Sequence, residues 1–263
     1  KIASEDNNIL ILPYNGVDKN RVGGYEVAAG KVGADGKFPT KWIAGRQEGG
    51  KLGELVAYKQ QHIFKDWDDV KQHANMRIDE VANLYGPGLA DQINPLTNKP
   101  YKESTGWQPI EPGDVCWEDM NGDDVINGYD RYVVGNIFPN ITGGFSTTFG
   151  YKGISLYARF DYALGHTLYN DLAARSLGQY QGSFNVIDKV KDTWSEANPN
   201  SDLPKFYYAD QLSKKNITRS NDSNTAADSN SSRFYEKGDY LALREITLSY
   251  QLPKSLISKV HMT

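Results

Sequence analysis

Residues 113–165 read GDVCWEDMNGDDVINGYDRYVVGNIFPNITGGFSTTFGYKGISLYARFDYALG, and the reading of this stretch decides the fold. Its second half alternates. Gly144, Ser146, Thr148 and Gly150 fall on one side, and Phe145, Thr147, Phe149 and Tyr151 on the other. After Lys152-Gly153 the pattern resumes, with Ile154, Leu156, Ala158, Phe160 and Tyr162 opposed to Ser155, Tyr157, Arg159 and Asp161. A period of two on both sides of a tight turn predicts a β-hairpin. A soluble sandwich carries such a pattern. So does a transmembrane barrel, where aromatics collect at the water boundary and small polar groups line the lumen.

The first half of the stretch is an acidic loop. Asp119, Asn121 and Asp123 stand at alternate positions, followed by Val125, Asn127 and Asp130. This is the ligand spacing of an EF-hand-type loop, in which oxygens converge on one hard cation, with Val125 giving its carbonyl and Ile126 an apolar anchor. The glycine expected at the sixth position is Asp124, a residue type that tolerates positive φ. Asp130 is shorter than the usual bidentate Glu. The spacing therefore predicts a Ca2+ site on Asp119, Asn121, Asp123, Val125, Asn127 and Asp130. An Asx-rich turn that satisfies its own backbone without metal is the other reading.

The order of these pieces resembles a known family. Gly113-Asp114, Asp119, Asn121-Gly122-Asp123, Ile126, Asp130-Arg131, Gly135-Asn136 and Pro139 are followed by an alternating strand, Tyr151-Lys152-Gly153 and a second strand. Downstream come Ser232-Arg233-Phe234, Gly238-Asp239-Tyr240-Leu241, Leu243-Arg244, Ile246-Thr247-Leu248, Tyr250 and Leu252-Pro253-Lys254-Ser255. Together they resemble the SusC/RagA family of TonB-dependent outer-membrane transporters, well over 113–257 and more loosely before that. The resemblance implies a mainly β fold: a partial segment of a large antiparallel transmembrane β-barrel with long extracellular loops containing short helices. It implies import of oligosaccharides or peptides through the outer membrane of a Gram-negative bacterium. The implied partners are a SusD-like lipoprotein, the TonB complex acting through N-terminal parts, outer-membrane lipid, and a glycan or peptide substrate. The sequence begins in mid-pattern, so the expectation is a piece lacking the plug and the final strands.

Composition agrees with these classes and excludes others. The net charge of −4 among 263 residues, with no basic run, argues against nucleic acid. A mean hydropathy of −0.61 and the lack of a long apolar run exclude helical spans but not barrel strands. The single cysteine, Cys116, rules out an intrachain disulfide and a Cys-based zinc site, leaving a small core residue.

In chain order, residues 1–12 are expected to end a barrel strand. Residues 13–139 form an extracellular region, with Val22–Ala29 and Phe38–Ala44 as a hairpin and a helix near 66–84. Asp66 caps that helix, and Asp68 and Asp69 favour its first turn. Trp107 is expected to pack rather than stack on a sugar. A transmembrane hairpin occupies 140–163, a long extracellular loop 164–239 (with a helix over 186–194 and a polar run over 213–232), and a strand with a periplasmic turn 240–263. Phe, Tyr, Ile and Leu of the strands should face lipid, and Gly, Ser, Thr and Gln the lumen. The four histidines are scattered, and neither His-Glu-x-x-His nor Gly-x-Ser-x-Gly occurs, so no enzyme is expected. The competing function is a secreted calcium-dependent carbohydrate-binding or adhesin β-domain, separable from a transporter by the detergent dependence of the full-length protein.

Overall fold

The structure is a computed structural model and describes residues 2–4, 8–78, 84–104, 107–178, 187–206 and 231–253. It is mainly β and divides into two units: a sheet drawn from residues 1–7, 136–168 and 237–263, and a lobe drawn from 8–135 and 169–236.

The sheet has four strands in the order Ile2–Ser4, Ile141–Tyr151, Ile154–Leu164 and Tyr240–Tyr250, every neighbouring pair antiparallel. The three long strands have 11 residues each, the length that crosses a bilayer when tilted. Lys152 and Gly153 both take positive φ, 46° and 85°, as a two-residue turn that matches strand twist requires. That turn sets the register, with Tyr151 opposite Ile154 and Ile141 opposite Leu164.

Register then sorts the side chains. Phe145 lies opposite Phe160, their rings stacked with centroids 4.9 Å apart, and Phe149 lies opposite Leu156. Leu156 in turn faces Leu248, and Ile154 faces Tyr250. On the other side Gly144 meets Asp161, Ser146 meets Arg159, and Gly150 meets Ser155. Both sides are open: only Ala163 among the described sheet residues is buried, while Phe149 is 66% and Leu248 72% exposed. An apolar face of this extent is an aggregation surface in water and a natural one in hydrocarbon.

Strict alternation along the third long strand would fail at Arg244. Counting by twos from Tyr250 through Leu248 and Ile246 puts this arginine on the apolar side. The register shifts there instead: Arg159 pairs with Glu245 and Phe160 with Leu243, leaving Arg244 as the extra residue of a bulge. Leu243 and Leu241 thereby rejoin the apolar side. Arg244 reaches the Asp161 carboxylate through Nε and, at 3.0 Å, through Nη2.

The lobe is built round a buried cluster of Tyr58, Phe64, Val70, Met76, Ile78, Leu84, Ile110, Val115, Cys116, Trp117 and Ile126. Short strands frame it. Val115–Trp117 runs antiparallel to Gln60–Ile63, and a small sheet orders Gln108–Pro109, Leu84–Tyr85, Arg77–Ile78 and Val125–Ile126. The expected hairpin is present as Tyr25–Ala28 against Thr40–Ile43.

Three expectations differ from the structure. The helix covers only Trp67–Gln72. Asp66 caps it through the amides of Asp68 and Asp69, but the backbone beyond His73 is claimed by sheet pairing: Arg77–Ile78 hydrogen-bonds to strands on both sides. Val70, Asn75 and Ile78 are weak helix formers, so tertiary pairing prevails; residues 79–83 lie outside the described residues. The helix over 186–194 is a 3-10 turn, Asp188–Asp192, with residue 186 undescribed. The edge strand is Ile2–Ser4 rather than one ending near Leu12: Leu10 and Ile11 are exposed, and the Leu12 amide donates to Glu48 Oε1 at 2.9 Å. The polar run over 213–232 and the turn after Pro253 fall almost wholly outside the described residues.

Two outcomes follow in a bilayer. Phe145→Arg, at mid-strand on the apolar side, should cost about 2–4 kcal/mol of folding stability, whereas Ser146→Arg should leave assembly intact; heat-modifiable gel mobility of the full-length protein reads both. Deleting Arg244 outright should leave membrane assembly intact, because Leu243 then stands two positions before Ile246 and strict alternation keeps Leu243 and Leu241 on the apolar side, whereas deleting Ala242 should impair it by turning Leu241 to the polar side.

Candidate functional site

The acidic loop hangs between two strands of the lobe. Val115–Trp117 delivers the chain into it, and Val125–Ile126, parallel to Arg77–Ile78, takes the chain out. The structure gathers all six expected residues into one loop and shows what their oxygens do. Asp119 accepts from the amides of Gly122 at 2.6 Å and Asp124 at 2.8 Å. Asp123 accepts from Val125 N–H at 2.9 Å and from the Asn121 side-chain amide at 3.0 Å. Asn127 and Asp130 form a capping box round the 3-10 turn Gly128–Asp130. The Asp130 carboxylate also accepts from Met120 N–H at 2.8 Å and so ties the loop's two ends together.

Asp124 has φ 63°, the conformation that the missing glycine would have supplied. Neighbouring segments hold the loop from outside. Lys31 Nζ donates to the Asp119 carbonyl, Val32 N–H to the Asn121 carbonyl, and Arg77 N–H to the Asp124 carbonyl. Asn121 and Asp130 are fully buried. Burial pushes the Asp130 carboxyl up to about 6, against the pull of the Asn127 and Met120 amides, and the charges of Asp119 and Asp123 push the same way. Among the described residues no three His, Cys, Asp or Glu side chains are gathered to hold a metal ion as they stand. The carboxylates are turned onto the loop's own amides, although an ionised carboxylate keeps further lone pairs for a cation.

The remaining candidates resolve into packing. Trp107 stacks on Tyr85 with centroids 4.9 Å apart and planes 13° apart, and Tyr85 also meets Tyr101. Cys116 is buried, and desolvation pushes its thiol up to about 12, which leaves it an inert core residue. His62 pairs with Asp69 at 3.2 Å. Sequence reasoning missed two features. One is the Arg244 bulge, whose signal was an arginine breaking the alternation of a strand. The other is Gly113, with φ 93°, where a Cβ would come within 2.6 Å of the Trp194 ring and of Lys205 Cβ.

Long two-sided strands with an exposed apolar side are the pattern of an outer-membrane barrel wall. Comparison with known proteins gives the particular class. No protein-family model matches the chain. Three TonB-dependent receptors of Formosa agariphila are similar in sequence. One is 30% identical over 145 residues, covering 55% of this chain and 13% of that receptor. A second is 27% identical over 149 residues, covering 57% and 13%. A third is 29% identical over 224 residues, covering 81% and 20%. Among solved structures, the RagAB peptide transporter aligns over 81% of this chain and 18% of its own, at 19% identity and a TM-score of 0.47. The chain is homologous to TonB-dependent receptors, which are outer-membrane proteins of Gram-negative bacteria. It spans 13–20% of the length of the receptors it matches, and those homologues are receptors rather than enzymes.

Asp130→Ala strips two loop amides of their acceptor and should destabilise the loop by about 1–3 kcal/mol. Faster proteolytic cleavage within 119–130 of the folded protein is the expected readout, with the sheet's protease-resistant core unchanged.

Proposed function

We propose that this chain forms wall and external loops of a TonB-dependent outer-membrane transporter that imports oligosaccharides or peptides. A SusD-like lipoprotein would act at the loops and the TonB complex would energise transport. The observation that carries the reading is the sheet: three strands of bilayer-spanning length whose apolar sides are exposed together and whose polar sides carry Arg159, Asp161, Arg244 and Glu245. Sequence homology to TonB-dependent receptors supports it. The chain's part is structural and selective. Its apolar side meets lipid, its polar side lines the lumen, and the lobe lies outside the cell, where long loops belong.

For the acidic loop the same proposal includes a hard cation, calcium by the chemistry of its donors. The alternate Asp and Asn positions, the conformation of Asp124 and the burial of Asn121 and Asp130 support it. A cation there would offset the burial cost of the Asp130 carboxylate, and with it the smaller repulsion from Asp119 and Asp123, which raise the Asp130 carboxyl above its usual range.

Cells expressing the full-length protein should accumulate labelled oligosaccharide or peptide, and loss of TonB or of the proton gradient should reduce accumulation to background. Accumulation that survives both losses would overturn the transporter reading. Chelation by EGTA should speed proteolysis within residues 119–130 and calcium should restore protection; identical cleavage rates would leave the loop as a self-capped turn.

A further inference from the structure

The turn of the wall hairpin carries a charge that the wall itself does not use. Lys152 is the single charged residue in 132–158, and 246–253 on the neighbouring strand has none. The nearest charges along the strands, Arg159 and Glu245, stand about 20 Å away and on the polar side. The backbone here is an uneasy place for a lysine. With φ 46°, Lys152 holds the first position of a turn that Asn, Asp or Gly enters most readily. The third long strand keeps the turn in that form. Gln251 N–H donates to the Gly153 carbonyl at 2.7 Å, and a Cβ on Gly153 would come within 3.0 Å of the Gln251 carbonyl oxygen. Backbone strain held by its surroundings points to a task for the side chain.

The ammonium is aimed at the apolar side. Its Nζ lies 5.2 Å from the centroid of the Tyr151 ring, a cation–π distance, and Tyr151 is 71% exposed on that side. Register puts Tyr151, Ile154 and Tyr250 in one row across the three long strands. The next row, Phe149, Leu156 and Leu248, is wholly hydrocarbon and lies about 7 Å further in. A tyrosine row beside such a row marks the boundary between headgroups and acyl chains. Lys152 therefore places a positive charge at headgroup depth on the side that meets lipid, and neither adjoining strand offers a carboxylate there. The anion available at that depth is a lipid phosphate, with the Tyr151 and Tyr250 hydroxyls as further donors.

We propose that Lys152, with Tyr151 and Tyr250, binds the headgroup of an anionic phospholipid in the periplasmic leaflet, the leaflet that short barrel turns face. The inference rests on reading the sheet as barrel wall, and it adds a specific lipid site to that wall.

The test is native mass spectrometry of the full-length protein, released from detergent after incubation with equimolar phosphatidylglycerol and phosphatidylcholine. The protein should retain phosphatidylglycerol in preference. Lys152→Gln should weaken that retention about five-fold, the effect of one cation at an anionic surface, with phosphatidylcholine unchanged, and Lys152→Arg should keep it. Thermal unfolding in nanodiscs gives a second readout. Lys152→Asn suits the turn and keeps the fold, so adding phosphatidylglycerol to discs of phosphatidylcholine should stabilise the wild-type protein more than this variant. Undiminished retention by Lys152→Gln would overturn the proposal, as would equal loss of both lipids, the mark of a merely structural lysine, or equal stabilisation of Lys152→Asn. So would Lys152-dependent retention of lipid A in place of phosphatidylglycerol, which puts the turn in the outer leaflet. The two readings fail separately. Full-length protein that does not enter nanodiscs strikes the wall and this site with it, whereas protein that enters and ignores the charge of the lipid strikes the site alone.

Discussion

The sidedness of the sheet depends on where one arginine goes. Arg244 occurs in a strand that otherwise alternates between apolar and polar, and in strict register its guanidinium would emerge among Ile246, Phe160 and Leu248. The bulge removes it from that side, and the Asp161 carboxylate on the neighbouring strand receives it through two nitrogens. A one-residue slip in a β-strand inverts every side chain beyond it. Here the slip is built in, and it corrects the pattern instead of spoiling it. Leu241 and Leu243 join the apolar side only because Arg244 is counted out. Tyr240, whose hydroxyl donates to Asp161 at 3.4 Å, lies at the polar end of the same arrangement.

The lobe solves a different problem with different means. It has few long elements, so its backbone groups cannot be satisfied by helix or sheet ladders alone. Side chains take over: Asp66 for a helix start, Asp119, Asp123 and Asp130 for the acidic loop, Asn94 for the turn at Leu96, and Glu48 for the segment at Leu12. This accounts for the low mean hydropathy of a chain that also carries membrane strands. Asx side chains serve as backbone substitutes, and the apolar residues are concentrated in one small core round Phe64, Ile78 and Trp117.

Much of this was legible in the sequence because it rests on local rules. The hairpin and its turn followed from period two and Lys152-Gly153, and the loop from the spacing of Asp and Asn. The positive φ of Asp124 followed from its place in that loop. What escaped had causes distant along the chain. The 66–84 segment has a well-capped start, and nothing local marks that Arg77–Ile78 will be taken by Val125–Ile126. The run Ile9 to Leu12 reads as a strand by composition, but among the described residues it forms no strand, only a bridge of Ile9 to Gly49 and Gly50. A cleft beside Trp67 is assembled from pieces over a hundred residues apart, and nothing local marks it. The bulge at Arg244 was visible as an anomaly; its resolution needed the partner strand.

The lobe is made of two segments, residues 8–135 and 169–236, which meet across long sequence distances. Gln60 N–H donates to Ser232 Oγ, 172 residues away, and Lys205 N–H to the Gly113 carbonyl. Closing such loops in a disordered chain is entropically costly. The hairpin between the two segments lowers that cost before any lobe contact exists. With Ile141 opposite Leu164, and the Asn140 amide bonded to the Leu164 carbonyl, the intervening residues act as one short clasp. Pairing of Tyr240 with Ala163 clasps the far end of the second segment to the same strand. The wall thus does for the lobe what a disulfide does for a small secreted domain: it ties distant parts of the chain together so that a modest core suffices to fold them.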